Sequence, residues 1–513
     1  MNTHVKIFVG ILVVGVLAIG GYKLSRPFLQ DELERSSSDA AGTRGTIHIG
    51  MDNWIGYFPL CSPAMERNLR KEGYILSCED DKANYSKRFK KLKKGELNFA
   101  VSTIDAYLLN GERSNYPGTI ITVLDESKGG DAIVARKKIL PNLDALKDNP
   151  NTQIAFTPQS PSEHLFKAIN SHFDLPFFSS DNQNWRVETE GSSDALKQLM
   201  DGTVNAAVLW EPDVSRALSN AAFTRLIGTE DTDKLIVDVL LVERRFSKEN
   251  PEVVQVLLKM YFKSLGFYYA NPDQLRRDIK KRDKLATDQI DSMLQGVEWI
   301  SLNENASLWF GSGGAGQQAG VVDAIKSALD IFIENNDFNT NPLPQKDPYR
   351  LTNRSYISGL ATQNGQSESV KNTDTLARPF SPLDDRGWSS LKHVGTLKVD
   401  PVSFQRSSAI LDYKGKKTLD RAAEKLRRYP NFRFLIEGHT GVRGDKKANM
   451  QLSLARAEAV SRYLQVTYKI NDGRIRALGY GGTKPLKQKD GESRRAYSYR
   501  LPRVEISLMT EAD

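Results

Sequence analysis

Short apolar runs alternate with amphipathic segments from Thr46 to about Phe338, and this alternation constrains the fold more than any other feature of the chain. Residues 47–51, 97–101, 120–124, 154–156 and 206–210 have the length and apolar character of buried strands. Residues 85–94, 162–173 and 193–201 carry apolar side chains at helical spacing. A chain that repeats strand and helix in this way forms parallel sheets with helices on both faces. About 290 residues exceed the needs of one sheet, so two α/β lobes are expected.

The flanking segments differ in character. Residues 7–21 are uncharged, and the run from Val5 to Leu24 reaches about 30 Å as a helix, the thickness of a bilayer's hydrocarbon core. Lys6 and Lys23 can snorkel at its ends. No small-x-small cleavage site follows soon after Gly21, so residues 1–24 are expected to be one uncleaved transmembrane anchor rather than a cleaved signal peptide. Residues 25–45 read as a polar stalk, and residues 339–395, rich in Asn, Pro, Ser, Gln and Thr, as a flexible linker.

Residues 396–513 form a last compact unit of α+β type. A strand-like segment opens at Phe404, helices are expected at 416–429 and 452–464, strands near Phe432 and at 503–508, and a further segment at 475–479. Of the net charge of +8, this unit holds 25 Lys and Arg against 13 Asp and Glu, leaving the rest of the chain slightly acidic. A basic terminal unit calls for an anionic partner. Nucleic acid is not expected, because no zinc-ligand spacing, aromatic RNA-binding strand or recognition helix accompanies the charge. The two cysteines, Cys61 and Cys78, stay as core thiols in a reducing compartment and are able to pair in an oxidising one.

Open α/β sheets bind ligands beyond the carboxyl ends of their strands. Ser102 and Thr103 follow one predicted strand; Ser160 and Ser162 follow another. Hydroxyls and N–H groups at a helix start seat anions, helped by the helix dipole. The same residues also serve as ordinary helix caps. Trp54 and Tyr57 offer rings for stacking on a ligand or for packing the lobes. Gly130 permits close backbone approach or a hinge, and Glu211 offers a carboxylate beside Trp210 to a ligand amine or to a hinge.

With the stretches "STIDAY", "GGDAIVARK", "TPQSPSEHLF", "NAAVLWEPD" and "SLNENASLWF" in that order, residues 45–338 resemble the substrate-binding proteins of nitrate/taurine/sulfonate-type ABC importers. The resemblance implies a two-lobed, hinge-closing periplasmic-binding-protein fold of type 2. It implies ligand contacts near Trp54, Tyr57, Ser102, Thr103, Gly130, Ser160, Ser162 and Glu211, and a small anionic or zwitterionic solute. No nucleophile–base pair and no metal-ligand spacing stands out, so no enzyme, cofactor or metal is expected.

The terminal unit resembles the OmpA-like peptidoglycan-binding domain through Gly438-His439-Thr440, Asn449, residues 452–457, residues 477–481, Pro485 and residues 503–506. That resemblance implies that peptidoglycan is the anionic partner and that His439, Thr440, Asn449 and Arg456 surround its diaminopimelate. The family places an Asp directly after the His–Thr pair; this chain has Gly441, with Arg456 in the expected place fifteen positions later. Arg456 is suited to grip a carboxylate, while the ammonium loses its partner unless Asp445 supplies one.

The expected protein is therefore anchored by one helix in the inner membrane, with both soluble domains in the periplasm. It would bind a solute and hold the wall. The alternatives are a solute-delivering importer component, and a sensor or tether whose domains bind membrane-protein partners.

Overall fold

The computed structural model describes residues 43–173, 175, 178, 184–311, 319–363 and 375–511. The expected membrane anchor and nearly all of the stalk lie outside the described residues. Among the described residues, no helix is long and apolar enough to cross a membrane.

The first lobe is built on β1 (Gly45–Met51), β2 (Tyr74–Asp80), β3 (Phe99–Thr103) and β4 (Gly118–Ser127). The chain then crosses into a second lobe made from β5 (Asp131–Arg136), β6 (Ile154–Phe156), β7 (Arg186–Glu188), β8 (Ala206–Trp210) and β9 (Phe223–Gly228). It returns through β10 (Val237–Glu243) and adds β11 (Val297–Trp299). The six-stranded sheet of the first lobe has the order β11-β4-β10-β3-β1-β2, and the five-stranded sheet of the second β7-β6-β8-β5-β9.

The expectation of parallel sheets needs correction. β1 runs parallel to β2 and β3, and β6 to β7 and β8, but β10 is antiparallel to β3 and β4, and β5 to β8 and β9. The crossover explains this: strands that arrive from the opposite lobe enter each sheet against its local direction.

The crossing points are bound to each other. Thr229 Oγ1 accepts from the backbone N–H groups of Gly129 (3.0 Å) and Asp131 (3.1 Å), and lies 2.8 Å from Ser127 Oγ. Ser127 Oγ donates to Asp131 Oδ2 at 2.7 Å. Gly129 has φ of +116°, a conformation that side chains other than glycine rarely adopt. In the first lobe, Cys61 and Cys78 form a disulfide with Cα atoms 6.3 Å apart, within the usual range for such bridges.

The segment expected as a flexible linker is folded where it is described. A helix spans Ser355–Gln363, and Leu343, Leu351, Tyr356, Ile357 and Leu360 are buried in the core of the first lobe. The Asn353 amide donates to the carbonyl of Ile120 in β4 at 2.9 Å, so this stretch continues that lobe. Further on, residues 392–396 form a strand, most of which falls within the expected linker.

The terminal unit has four strands, β12 (Lys392–Thr396), β13 (Arg433–His439), β14 (Ile475–Gly479) and β15 (Arg503–Thr510), in the order β12-β15-β13-β14. Helices Tyr413–Arg427 and Lys446–Tyr468 pack against it. Phe404 makes an isolated bridge with Leu411 rather than opening a strand.

The edge strand β12 is covered by the second lobe, which shields its unpaired backbone groups. The Leu143 amide donates to Val394 O (3.1 Å), the Lys398 amide to His172 O (2.7 Å), and Thr396 Oγ1 to Asp144 Oδ2 (2.9 Å). Phe173 lies fully buried beside Gly395, where a Cβ would sit 2.8 Å from its ring. Tyr429 stacks edge-on with Phe173 and shares a 2.7 Å hydrogen bond with His172 Nδ1. The second lobe and the terminal unit thus share one apolar core.

Candidate functional site

A cleft of about 650 Å³ lies between the two lobes. Its walls come from loops that end the strands of both sheets. Asp52, Trp54 and Tyr57 follow β1; Lys82 and Tyr85 follow β2; Thr103 ends β3. From the other side come Asp131 at the start of β5, Thr157 and Ser160 after β6, and Trp210 at the end of β8. Asp238, near the start of β10, closes the floor.

The sequence candidates divide into two sets. Trp54, Tyr57, Thr103 and Ser160 line the cleft. Ser102, Ser162, Gly130 and Glu211 do not. Ser102 Oγ donates to the Thr103 carbonyl at 2.9 Å, and Ser162 Oγ to Val208 O at 3.2 Å; both side chains are fully buried. Glu211 is turned onto its own helix start, where Ser215 Oγ donates to it at 2.8 Å. Gly130 makes room for Trp54: a Cβ there would lie 2.5 Å from the indole. Thr103 and Ser160 cap the helices that follow them, accepting from Ala106 N (3.3 Å) and Ser162 N (3.2 Å).

Carboxyl groups dominate the cleft, and sequence reasoning missed most of them. Asp52 is held by the fully buried Arg88, 3.0 Å away, whose guanidinium also reaches Asp81 and donates to Val101 O at 2.8 Å. Trp54 Nε1 donates to Asp125 Oδ1 at 3.0 Å, while Asp125 Oδ2 is buried without a hydrogen-bond partner. Gly56 allows this approach, since a Cβ would strike the Asp125 carboxyl at 2.3 Å. Tyr57 donates its hydroxyl to Asp238.

Burial pushes Asp125 and Asp131 up to about 7, and burial with repulsion from Asp125 holds Asp238 well above the usual carboxylate range. Asp105, two positions after Thr103, is also pushed up to about 7 by burial, which outweighs the nearby Thr103 hydroxyl and backbone N–H groups. Among the described residues, no three His, Cys, Asp or Glu side chains are grouped as a metal site would require.

The second candidate site surrounds the end of β13. Gly438 allows the long helix to lie against the strand, for a Cβ there would meet Ser453 O at 2.0 Å. His439 is buried, its ring stacked on Tyr480 and its Nε2 3.2 Å from Glu505 Oε2 without hydrogen-bond alignment. Burial opposes ionisation of Glu505, but His439 and Arg503 outweigh it and draw its carboxyl down to about 2. The Thr440 amide donates to Gly481 O at 2.8 Å, and Asn449 Nδ2 to Arg443 O at 2.9 Å.

Asp445, the expected substitute for the missing carboxylate, is engaged at a helix start in this structure. It caps the long helix, accepting from Ala448 N at 2.7 Å. Arg456 donates from Nε to Ser408 O at 3.1 Å and lies over the Phe404 ring, so the 404–411 loop holds it in this structure. Gly441 faces open space: a Cβ there would meet no atom within 4 Å.

Comparison with known proteins now bears on both sites. Residues 403–498 match the OmpA family. This region is 37% identical over 87 residues to the peptidoglycan-associated lipoprotein of Rhizobium meliloti, covering 17% of this chain and 49% of that protein. It is 33% identical over 100 residues to the outer membrane protein Omp38 of Acinetobacter baumannii, covering 20% of this chain and 28% of that protein. The chain therefore spans half or less of the length of these relatives.

The two-lobed part is similar to the periplasmic sulfonate-binding protein of a putative sulfonate ABC transporter from Methylobacillus flagellatus, with a TM-score of 0.50, 13% identity, and coverage of 64% of this chain and 96% of that one. The periplasmic aliphatic sulphonate binding protein of Escherichia coli gives a TM-score of 0.46 at 16% identity, covering 60% of this chain and 98% of that one. The chain thus joins a periplasmic-binding-protein-like α/β fold to an OmpA domain. None of these names is that of an enzyme.

Proposed function

We propose that this is an envelope protein that captures a small solute between its two lobes and attaches to peptidoglycan through its OmpA domain. The observation that carries the reading is the cleft itself: aromatic and polar side chains from both lobes converge on it, at the strand ends where such folds hold ligands. The hydrogen-bonded crossing at Ser127, Asp131 and Thr229 supplies a hinge. The names of the OmpA-domain relatives support a periplasmic or envelope location and wall attachment. Inner-membrane anchoring by residues 1–24 belongs to the same proposal and rests on the apolar run alone.

A sensor or tether role fits better than delivery to an importer. The terminal unit does not trail on a long free linker; it is packed on the second lobe through Phe173, Tyr429 and β12. A change of lobe position on solute binding would therefore be felt at the wall-binding unit. The test is a thermal-shift screen of the full chain against amines, sulfonates, nitrate and phosphate, with a sacculus pull-down in parallel. A stabilising solute and retention on sacculi support the reading; failure of both would refute it.

A further inference from the structure

We infer that the cleft takes a small organic cation carrying ammonium N–H groups, not a sulfonate or another anion. This deepens the solute-binding reading above and rests on it. Three independent features of the cleft lead there.

The carboxyl-rich walls are the first; a bound cation would draw even the raised Asp131 and Asp238 into their charged form. Asp52, Asp80, Asp131, Glu190 and Asp238 line the cleft against a single lining base among the described residues, Lys82. Arg88, paired with the lining Asp52, is fully buried and engaged by Asp52, Asp81 and Val101 O. An anion entering here would meet carboxyl groups on both lobes without a free guanidinium to answer it.

The second is the balance of donors and acceptors. A bound anion requires N–H and O–H donors. Three of the four hydroxyls expected to supply them already donate to backbone carbonyls: Ser102 to Thr103 O, Ser160 to Thr157 O and Ser162 to Val208 O. Acceptors are in excess instead. The lining carboxyl groups of Asp52, Asp80, Asp131, Glu190 and Asp238 supply them. A wall rich in carboxyl oxygens is matched by a ligand that donates.

The third is the rings. Trp54 and Trp210 line the same space, and indole faces attract cations; the Tyr85 ring already carries the Arg88 guanidinium, 4.8 Å from its centre. A metal ion would have little use for rings, and no three acidic side chains among the described residues are grouped to ligate one.

Calorimetric titration of the full chain at pH 7.5 with ethylamine, putrescine, ethanesulfonate and calcium chloride, each alone, tests this. Saturable binding of one or both amines is expected, with no saturable heat from ethanesulfonate or calcium. Asp238→Asn and Asp131→Asn should each weaken amine binding at least tenfold. Circular dichroism melts would confirm that each variant is folded, and the ligand comparison on the unaltered chain decides the matter even if one is not. Binding of ethanesulfonate without amines would overturn the cation assignment and leave the solute-binding reading standing. Binding of calcium alone, or unchanged amine affinity in both folded variants, would overturn the assignment too. Silence across all four would remove the cation assignment and count against the solute-binding reading beneath it.

Discussion

Asp125 and Asp238 stand directly opposite each other on the antiparallel strands β4 and β10, and Asp238 lines the cleft. Like charges in this position repel, and both residues are buried. Trp54 and Tyr57 each donate a hydrogen bond to one of the pair, which ties the aromatic wall to the acidic floor.

This arrangement predicts a pH dependence of stability. Asp125, Asp131 and Asp105 are pushed up to about 7 by burial, and Asp238 stands well above its ordinary value. The groups facing Asp238 are Tyr57, Asp52 with its partner Arg88, Asp105 and Asp125. Between the ordinary carboxyl range and these raised values, the folded state binds more protons than the unfolded one. Stability is therefore lost as pH rises through the folded-state values. Asp238→Asn keeps an acceptor for Tyr57 and removes one ionisation. Denaturant melts of both proteins should show the variant gaining on the unaltered chain by at least about 1.4 kcal/mol between pH 5 and pH 8.5, one pKa unit's worth. Contributions from the buried histidines are common to both proteins and cancel. Parallel pH profiles would contradict the assignment of a raised Asp238.

The disulfide has a separable effect. Cys61–Cys78 closes a short loop within the first lobe, with a sequence separation of 17. A cross-link of this span contributes about 3 kcal/mol in the chain-entropy account. Replacing both cysteines with serine should lower first-lobe stability by that order, read by denaturant unfolding. A change below about 0.5 kcal/mol, the usual limit for surface substitutions, would mean that the bridge is dispensable.

In the OmpA domain, Gly441 faces open space and has no positive φ, so Asp fits there without strain. Gly441→Asp should tighten sacculus binding by one to three decades if a desolvated ammonium pair worth about 2–4 kcal/mol forms. Arg456→Ala should abolish retention on sacculi. If Gly441→Asp changes nothing, the hold of Ser408 and Phe404 on Arg456 is the block, and opening the 404–411 loop should restore binding.

The docked terminal unit gives another prediction. Phe173 is fully buried between Gly395 and Tyr429. Phe173→Ala should cost about 3–5 kcal/mol, as large-to-small changes at well-packed sites do. The loss should appear as separate melting of the terminal unit and faster proteolysis around residues 375–391. A single unchanged transition would show that the interface contributes little.

Much of this organisation was legible in the sequence, and the parts that were not share a cause. The lobe strands at 154–156 and 206–210 and the terminal strand that opens at Arg503 stand as their local apolar patterns indicate. Both domain resemblances lay in contiguous stretches. The acidic floor did not, because Asp125 and Asp238 meet only through long-range strand pairing, which local spacing does not reveal. Hydroxyls were over-read for a related reason. A Ser or Thr at a strand end caps a helix or seats a ligand with the same residue pattern, and here Thr103 and Ser160 cap helices while Ser102 and Ser162 donate to backbone carbonyls. The folded part of the supposed linker escaped notice because Leu343, Leu351 and Leu360 are widely spaced and are buried only against another element.

Native mass spectrometry of the full chain, incubated with an equimolar mixture of ethylamine, putrescine, taurine and ethanesulfonate, tests the central claim most directly. One amine bound per chain, lost in Asp238→Asn, is the predicted spectrum. An ethanesulfonate adduct in its place, or no adduct of any of the four, would contradict it.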